Sequence, residues 1–250
     1  MKHQAISIQT PAGRCPTHVF TPDGKGPWPA VIVYMDALGI RPALMQIGER
    51  LAAGGYVALV PDLFYRYGAY GPLKPREVFA GDFRATVGPL MASTDNFKAA
   101  QDTAALLTYL DTRDDVAGNR IGAVGFCMGG GMAIVAAGTY PDRVAAVASF
   151  HGGRLATDEP ASPHLMASKV RAELYVAVAD NDGSCPPEMV ERFEQALDGA
   201  GVRYRCEVYR GAAHGWMKPD FPVYDEAAAE RGWSEMFALF DRVLAVTKAT

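Results

Sequence analysis

Hydrophobic and polar positions divide the chain into short apolar runs separated by segments of helical spacing. The clearest run, Ala30-Val31-Ile32-Val33-Tyr34-Met35, is unbroken and partly β-branched, as expected of a strand buried on both faces. Further strands are predicted at Tyr56 to Val60, Arg120 to Phe126, Val144 to Phe150, Leu174 to Ala179 and Arg203 to Tyr209, with two β-like stretches near His3 to Thr10 and Arg14 to Thr21. Helical spacing covers Ala43 to Ala53, where Gly54-Gly55 stops it, and Asn96 to Leu110, with Ser93 and Thr94 as candidate N-caps. It also covers Met128 to Ala137, a stretch opened by Pro186/Pro187 and running through Glu191 to Leu197, and a last helix from about Asp225 to Val246.

Strands alternating with helices predict one α/β domain over residues 1–250, with a mostly parallel sheet covered by helices on both faces. In such sheets, sites gather at the carboxyl ends of the strands. From Leu63 to about Ala92 the chain is rich in aromatic residues, Gly and Pro and shows little periodicity. A long loop or small cap overhanging a site is expected there.

Composition narrows the function classes. Of the 250 residues, 49% are hydrophobic and 21% charged, enough to bury a large core, and the net charge of −4 leaves no broad basic surface for nucleic-acid phosphates. The first residues lack the apolar run of a secretory signal, and no segment offers about 18 unbroken apolar residues, so no membrane span and a cytoplasmic location are expected. Cys15, Cys127, Cys185 and Cys206 are scattered, with no C-x-x-C pair or Cys/His cluster at zinc spacing. Neither a metal nor an organic cofactor is expected, and one thiol can matter on its own.

That thiol is singled out by Gly125-Phe126-Cys127-Met128-Gly129-Gly130-Gly131, which lies between a predicted buried strand and a helix. It has the G-x-nucleophile-x-G form of a nucleophile elbow, with cysteine where serine is commoner. The strained turn brings strand and helix together, so the positions two residues either side must be small, as Gly125 and Gly129 are. A sulfur at a helix N-terminus is favoured as thiolate by free N–H groups and the helix dipole. The competing reading, a Gly-rich phosphate cradle, would need a Rossmann or Walker pattern that the segment lacks.

Such a nucleophile needs a base and an acid to orient it, in the chain order nucleophile, acid, histidine. His214 follows the predicted strand Arg203 to Tyr209, just before the final helix, and is the candidate base. His151, at the end of the strand after the elbow, is expected to be a site-wall residue. For the acid, the loop Asp180-Asn181-Asp182-Gly183-Ser184-Cys185-Pro186 offers two aspartates, one the orienter and the other a turn former.

Taken together, the chain resembles the dienelactone hydrolase family of α/β-hydrolases. The resemblance rests on Gly-Phe-Cys-Met-Gly-Gly at 125–130, on Gly55 to Leu63, on Asp182 four residues before Pro186, and on the loop ending at His214. It favours Asp182 over Asp180. It implies oxyanion donors at the Ala37 and Met128 amides and an auxiliary acid near the nucleophile at Asp36, where founding members of the family carry glutamate. It also implies a cationic contact for a substrate carboxylate at Lys218, where lactone-cleaving members have arginine, with Arg84 as a second candidate.

The expected activity is therefore hydrolysis of a small ester or lactone through an acyl-enzyme, with a carboxylate on the substrate where the cationic contact is used. The protein would act as a monomer or small homo-oligomer. The rival readings are a general short-chain carboxylesterase or thioesterase, and a ligand-binding relative without turnover.

Overall fold

The computed structural model describes residues 1–245; Val246, the predicted end of the last helix, and the remainder of the predicted domain to 250 lie outside the described residues. The chain opens with an antiparallel pair, β1 (Lys2–Thr10) and β2 (Gly13–Thr21). It continues through β3 (Ala30–Tyr34), α1 (Pro42–Ala53) and β4 (Val57–Pro61). After α2 (Pro75–Ala80), α3 (Phe83–Ala92) and α4 (Asn96–Asp111) come β5 (Ile121–Phe126), α5 (Met128–Thr139) and β6 (Val144–Phe150). A 3₁₀ turn at Pro163–Lys169 leads to β7 (Glu173–Ala179), α6 (Pro187–Gly199), β8 (Tyr204–Tyr209) and α7 (Glu226–Val243).

All eight strands join one sheet in the order β1-β2-β4-β3-β5-β6-β7-β8. Among the described residues only the β1/β2 and β2/β4 pairings are antiparallel; the run from β4 through β8 is parallel. This is the α/β-hydrolase arrangement. Every residue of β3, β4, β5 and β6 is buried, which is why those strands appear in the sequence as unbroken apolar runs. Strand order reverses between β3 and β5, and the crevice beyond their carboxyl ends is the natural place for a site.

Helix α1 buries Ala43, Leu44, Ile47 and Leu51 on one face and ends as the Gly54-Gly55 pair predicts. Gly55 takes φ +93°, while its N–H bonds the Ala52 carbonyl and the Tyr56 N–H reaches back to Leu51, a Schellman closure. Helix α5 has no polar face: Gly129 to Gly138 are all buried. For α4 the sequence expectation of Ser93 or Thr94 as cap is corrected. Asp95 is the N-cap, its carboxylate accepting from the Lys98 N–H at 2.8 Å, because it directly precedes the first helical residue, while Ser93 ends α3 with its hydroxyl on the Leu90 carbonyl.

Residues 63–92 do not form one long loop. Two short helices, α2 and α3, fold there, each started by a local signal: Pro75 opens α2, and the Asp82 side chain caps α3 by accepting from Ala85 N–H. The six residues of α2, and Gly88 and Pro89 inside α3, leave too little regular pattern for periodicity to detect. Val78 of α2 and Val87 of α3 pack with Ala37, Leu38 and Phe221, and Cys127 and Met128 touch the same cluster. Among the described residues no helix is long and apolar enough to cross a membrane.

Candidate active site

The elbow sits where β5 gives way to α5. Cys127 is the N-cap of α5 with φ 55° and ψ −118°, a backbone state that costs a non-glycine residue energy and is held here by its surroundings. The Cys127 N–H bonds the Phe150 carbonyl at 3.1 Å, and the Cys127 carbonyl accepts from Gly130 N–H at 3.1 Å. A Cβ on Gly125 would collide with the Gly129 backbone, and one on Gly129 with the Tyr34 carbonyl. Both glycines are therefore required by the approach of α5 to β5 and β3.

Two more loops close on this point. After β7, Asp182 is nearly buried, and its Oδ2 lies 2.6 Å from His214 Nδ1 in the loop after β8. A carboxylate can only accept, so Nδ1 carries the proton and Nε2 is left for a neighbour. Burial works against a charge on His214, but hydrogen bonding to Asp182 and to the Cys127 side chain outweighs it and lifts the imidazole pKa to about 10. Asp182 is held below the usual carboxylate range: burial opposes this, while its bonds to His214 and Ser184 prevail. The two aspartates differ in partner: Asp182 meets His214, whereas Asp180 accepts from Gly211 N–H at 3.0 Å, in the turn that leads to His214.

The amides of Ala37 and Met128 flank the elbow from two directions, one following β3 and the other in the first turn of α5. Neither donates a backbone hydrogen bond outside helices and strands among the described residues. The Ala37 loop is shaped by Asp36, whose Oδ1 accepts from Leu38 N–H at 2.9 Å and whose carbonyl accepts from Gly39 N–H at 3.0 Å.

Asp36 itself is completely buried, and sequence reasoning missed its main partner. Arg41 donates to both carboxylate oxygens, at 2.8 and 3.0 Å, and also to Asp220 at 2.7 Å. Lys218 completes the group: its Nζ lies 3.4 Å from Asp36 Oδ2 and 3.4 Å from the centre of the Phe126 ring, fully shut off from solvent. Burial pulls the Lys218 pKa down to about 7 against the pull of Asp36. Desolvation also works against the Asp36 anion, but Lys218 and Arg41 overcome it and lower its pKa. Lys218 thus faces a protein carboxylate rather than open space. Arg84 is exposed on the first turn of α3, with no ion-pair partner among the described residues.

His151 packs edge-on against His214 and Trp216, ring centres 5.2 and 5.1 Å away, and neither of its nitrogens has a hydrogen-bond partner among the described residues. Burial, followed by the charges of His214 and Lys218, drives its pKa well down, so it stands behind His214 as a neutral wall. Next to Met128 opens a cavity of about 300 Å³ lined by Met91, Met132, Thr94 and Arg154. No sequence motif points to Arg154, which follows the elbow strand's neighbour β6 with φ 54° and an exposed side chain.

The chain was compared with known proteins. The model of the dienelactone hydrolase family matches residues 15–244. A Synechocystis protein provisionally named carboxymethylenebutenolidase is 30% identical, with 89% of each chain covered. A Bradyrhizobium protein provisionally named 2-oxo-3-(5-oxofuran-2-ylidene)propanoate lactonase is 28% identical over 84% of this chain and 82% of its own. Among solved structures, a provisionally assigned dienelactone hydrolase from Klebsiella pneumoniae superposes with a TM-score of 0.85 at 25% identity, covering 96% of this chain and 98% of that one.

Proposed function

Because the chain belongs to the dienelactone hydrolase family and is a carboxylic-ester hydrolase of carboxymethylenebutenolidase type, we propose that it opens small esters or lactones with Cys127 as nucleophile, His214 as base and Asp182 as orienter. The observation that carries this reading is the imidazole of His214, bonded to Asp182 at 2.6 Å through Nδ1, with the Cys127 side chain beside it. An imidazole in that position can take the Cys127 proton and hold it while the sulfur reacts.

The thiolate attacks the carbonyl carbon, and the C=O electron pair moves to oxygen. That oxyanion is received by the Ala37 and Met128 N–H groups; losing one such donor typically costs about 10²–10³ in rate. Collapse expels the alkoxide, which takes the proton from His214 and leaves a thioester on Cys127. In a lactone the freed hydroxyl stays tethered to the acyl group. Water then gives a proton to His214 and attacks the thioester, releasing acid and restoring the thiolate–imidazolium pair.

In this reading Asp36 supports the Ala37 loop, and Lys218 and Arg41 are its counter-charges. The acyl or alcohol portion occupies the cavity beside Met128. Replacing Cys127 by alanine tests the assignment: turnover of both dienelactone and p-nitrophenyl acetate is expected to vanish, and wild-type rates in that variant would refute it. The ratio of rates on the two substrates separates a lactone specialist from a general short-chain esterase.

A further inference from the structure

Ser184 lies in the turn that carries Asp182, and neither sequence motif nor resemblance singles it out. Its Oγ is 2.6 Å from Asp182 Oδ1 and 3.1 Å from His214 Nδ1, and its own N–H donates to Asp182 Oδ1 at 2.8 Å. The hydroxyl has one proton, which goes to the carboxylate because Asp182 can only accept; its lone pairs then face the Nδ1–H. Three groups thus close a ring: Nδ1–H shared between Asp182 Oδ2 and Ser184 Oγ, and Ser184 O–H returned to Asp182 Oδ1.

The hydroxyl is itself held in place. The Ser184 carbonyl accepts from Arg154 N–H at 2.7 Å, and a Cβ on Gly153 would come within 2.9 Å of Ser184 Oγ. The loop after β6 therefore seats this side chain, and Cys185 N–H bonds the Asp182 carbonyl at 3.1 Å beneath it.

We propose that Ser184 is a positioning residue that locks the Asp182–His214 pair in the tautomer presenting Nε2 to Cys127. The proposal rests on the triad reading above and deepens it. Its hydroxyl does two things: it keeps the Asp182 carboxylate anionic by supplying a second donor to Oδ1, and it stops the imidazole from rotating about the single Nδ1 bond. Without the hydroxyl, Oδ1 retains only the backbone donor, and the carboxylate takes up a proton at higher pH.

Ser184→Ala and Ser184→Thr test this in the full chain, with two readouts. One is kcat/KM on p-nitrophenyl acetate against pH; the other is the pH dependence of iodoacetamide alkylation at Cys127, read by mass spectrometry of its peptide. Ser184→Ala is expected to lower kcat/KM by roughly 10-fold, the scale of one charge-assisted hydrogen bond. It should also move the acid limb of both profiles upward by roughly half to one pH unit. Ser184→Thr, which keeps the hydroxyl, is expected to restore both.

An alanine variant with wild-type kcat/KM and an unmoved acid limb would overturn the proposal. So would a threonine variant as impaired as alanine while its urea midpoint matches wild type. If Cys127→Ala retained turnover, the triad reading itself would fall; if that variant is dead and Ser184→Ala is unaffected, only the role of Ser184 is lost.

Discussion

Lys218 Nζ lies 3.4 Å from Asp36 Oδ2, with both side chains closed off from solvent, yet the ammonium makes no hydrogen bond to a described residue. Its company is the Phe126 ring and a carboxylate already claimed by Arg41. A cation so placed costs the fold desolvation that its single ion pair only partly offsets.

Replacing Lys218 by methionine, which has similar length and no charge, removes that desolvation cost while Arg41 still pairs Asp36, so the stability of the variant relative to wild type is expected to be highest near pH 6, where the wild-type ammonium is charged. An unfolded lysine keeps its proton to near 10.5, whereas the folded one releases it near 7, so between these values the unfolded chain binds more protons and wild-type stability climbs with pH. The advantage of the variant should shrink steadily over that window. Urea unfolding at pH 6, 8 and 10 measures it; a gap that does not narrow contradicts the account.

Arg41 is the opposite case. It satisfies Asp36 with two bonds and Asp220 with two more, at 2.7 and 3.2 Å. Arg41→Ala is expected to cost roughly 3–5 kcal/mol, because Asp36 would remain buried with only Lys218 beside it. The urea midpoint reports the loss. The same change should loosen the Leu38 and Gly39 bonds to Asp36 and lower kcat more than it raises KM.

Asp182 and Asp180 are two residues apart and should behave differently. Asp182→Asn removes the anion from His214 and permits the wrong tautomer, an exchange that costs a serine triad roughly 10⁴-fold in kcat. Asp180→Asn keeps an acceptor for Gly211 N–H and should change kcat by less than about threefold. Steady-state rates on p-nitrophenyl acetate distinguish the two, and equal losses would reverse the assignment.

Gly129→Ala drives a methyl group into the Tyr34 carbonyl, which is backbone and cannot yield without moving β3. A loss of roughly 1–3 kcal/mol is expected from such overpacking. Since the strain falls directly beside Cys127, thermal unfolding by circular dichroism and turnover should decline together.

Much of this architecture is legible in the sequence because β3 to β6 are buried on both faces and the elbow has its own glycine pattern. Chain order and loop position narrow the partner of His214 to Asp180 or Asp182, and only the family resemblance favours Asp182, which the fold sets 2.6 Å from the ring. What the sequence hides are partners whose nearness only the folded chain creates. Arg41 and Asp220 stand 179 positions apart, and nothing in either neighbourhood announces the other. Ser184 looks like one more turn residue until Gly153 and Arg154, from a different strand end, are seen to seat it. The helices of residues 75–92 escape because their start signals are local while their packing partners, Ala37, Leu38 and Phe221, come from distant loops. The setting of Lys218 is hidden for the same reason: a lysine in a loop gives no hint that an aromatic ring and a carboxylate will enclose it.

The sheet order places β8 at the far margin from β1, and His214 arrives only after β8. On the proposed assignment, a growing polypeptide emerges with its sulfur at position 127 long before the imidazole that arms it exists. During synthesis Cys127 therefore has the modest reactivity of an ordinary thiol, and its aggressiveness toward electrophiles and oxidants begins only when the last parallel strand docks. The rate of alkylation at that one sulfur becomes a clock for the completion of folding.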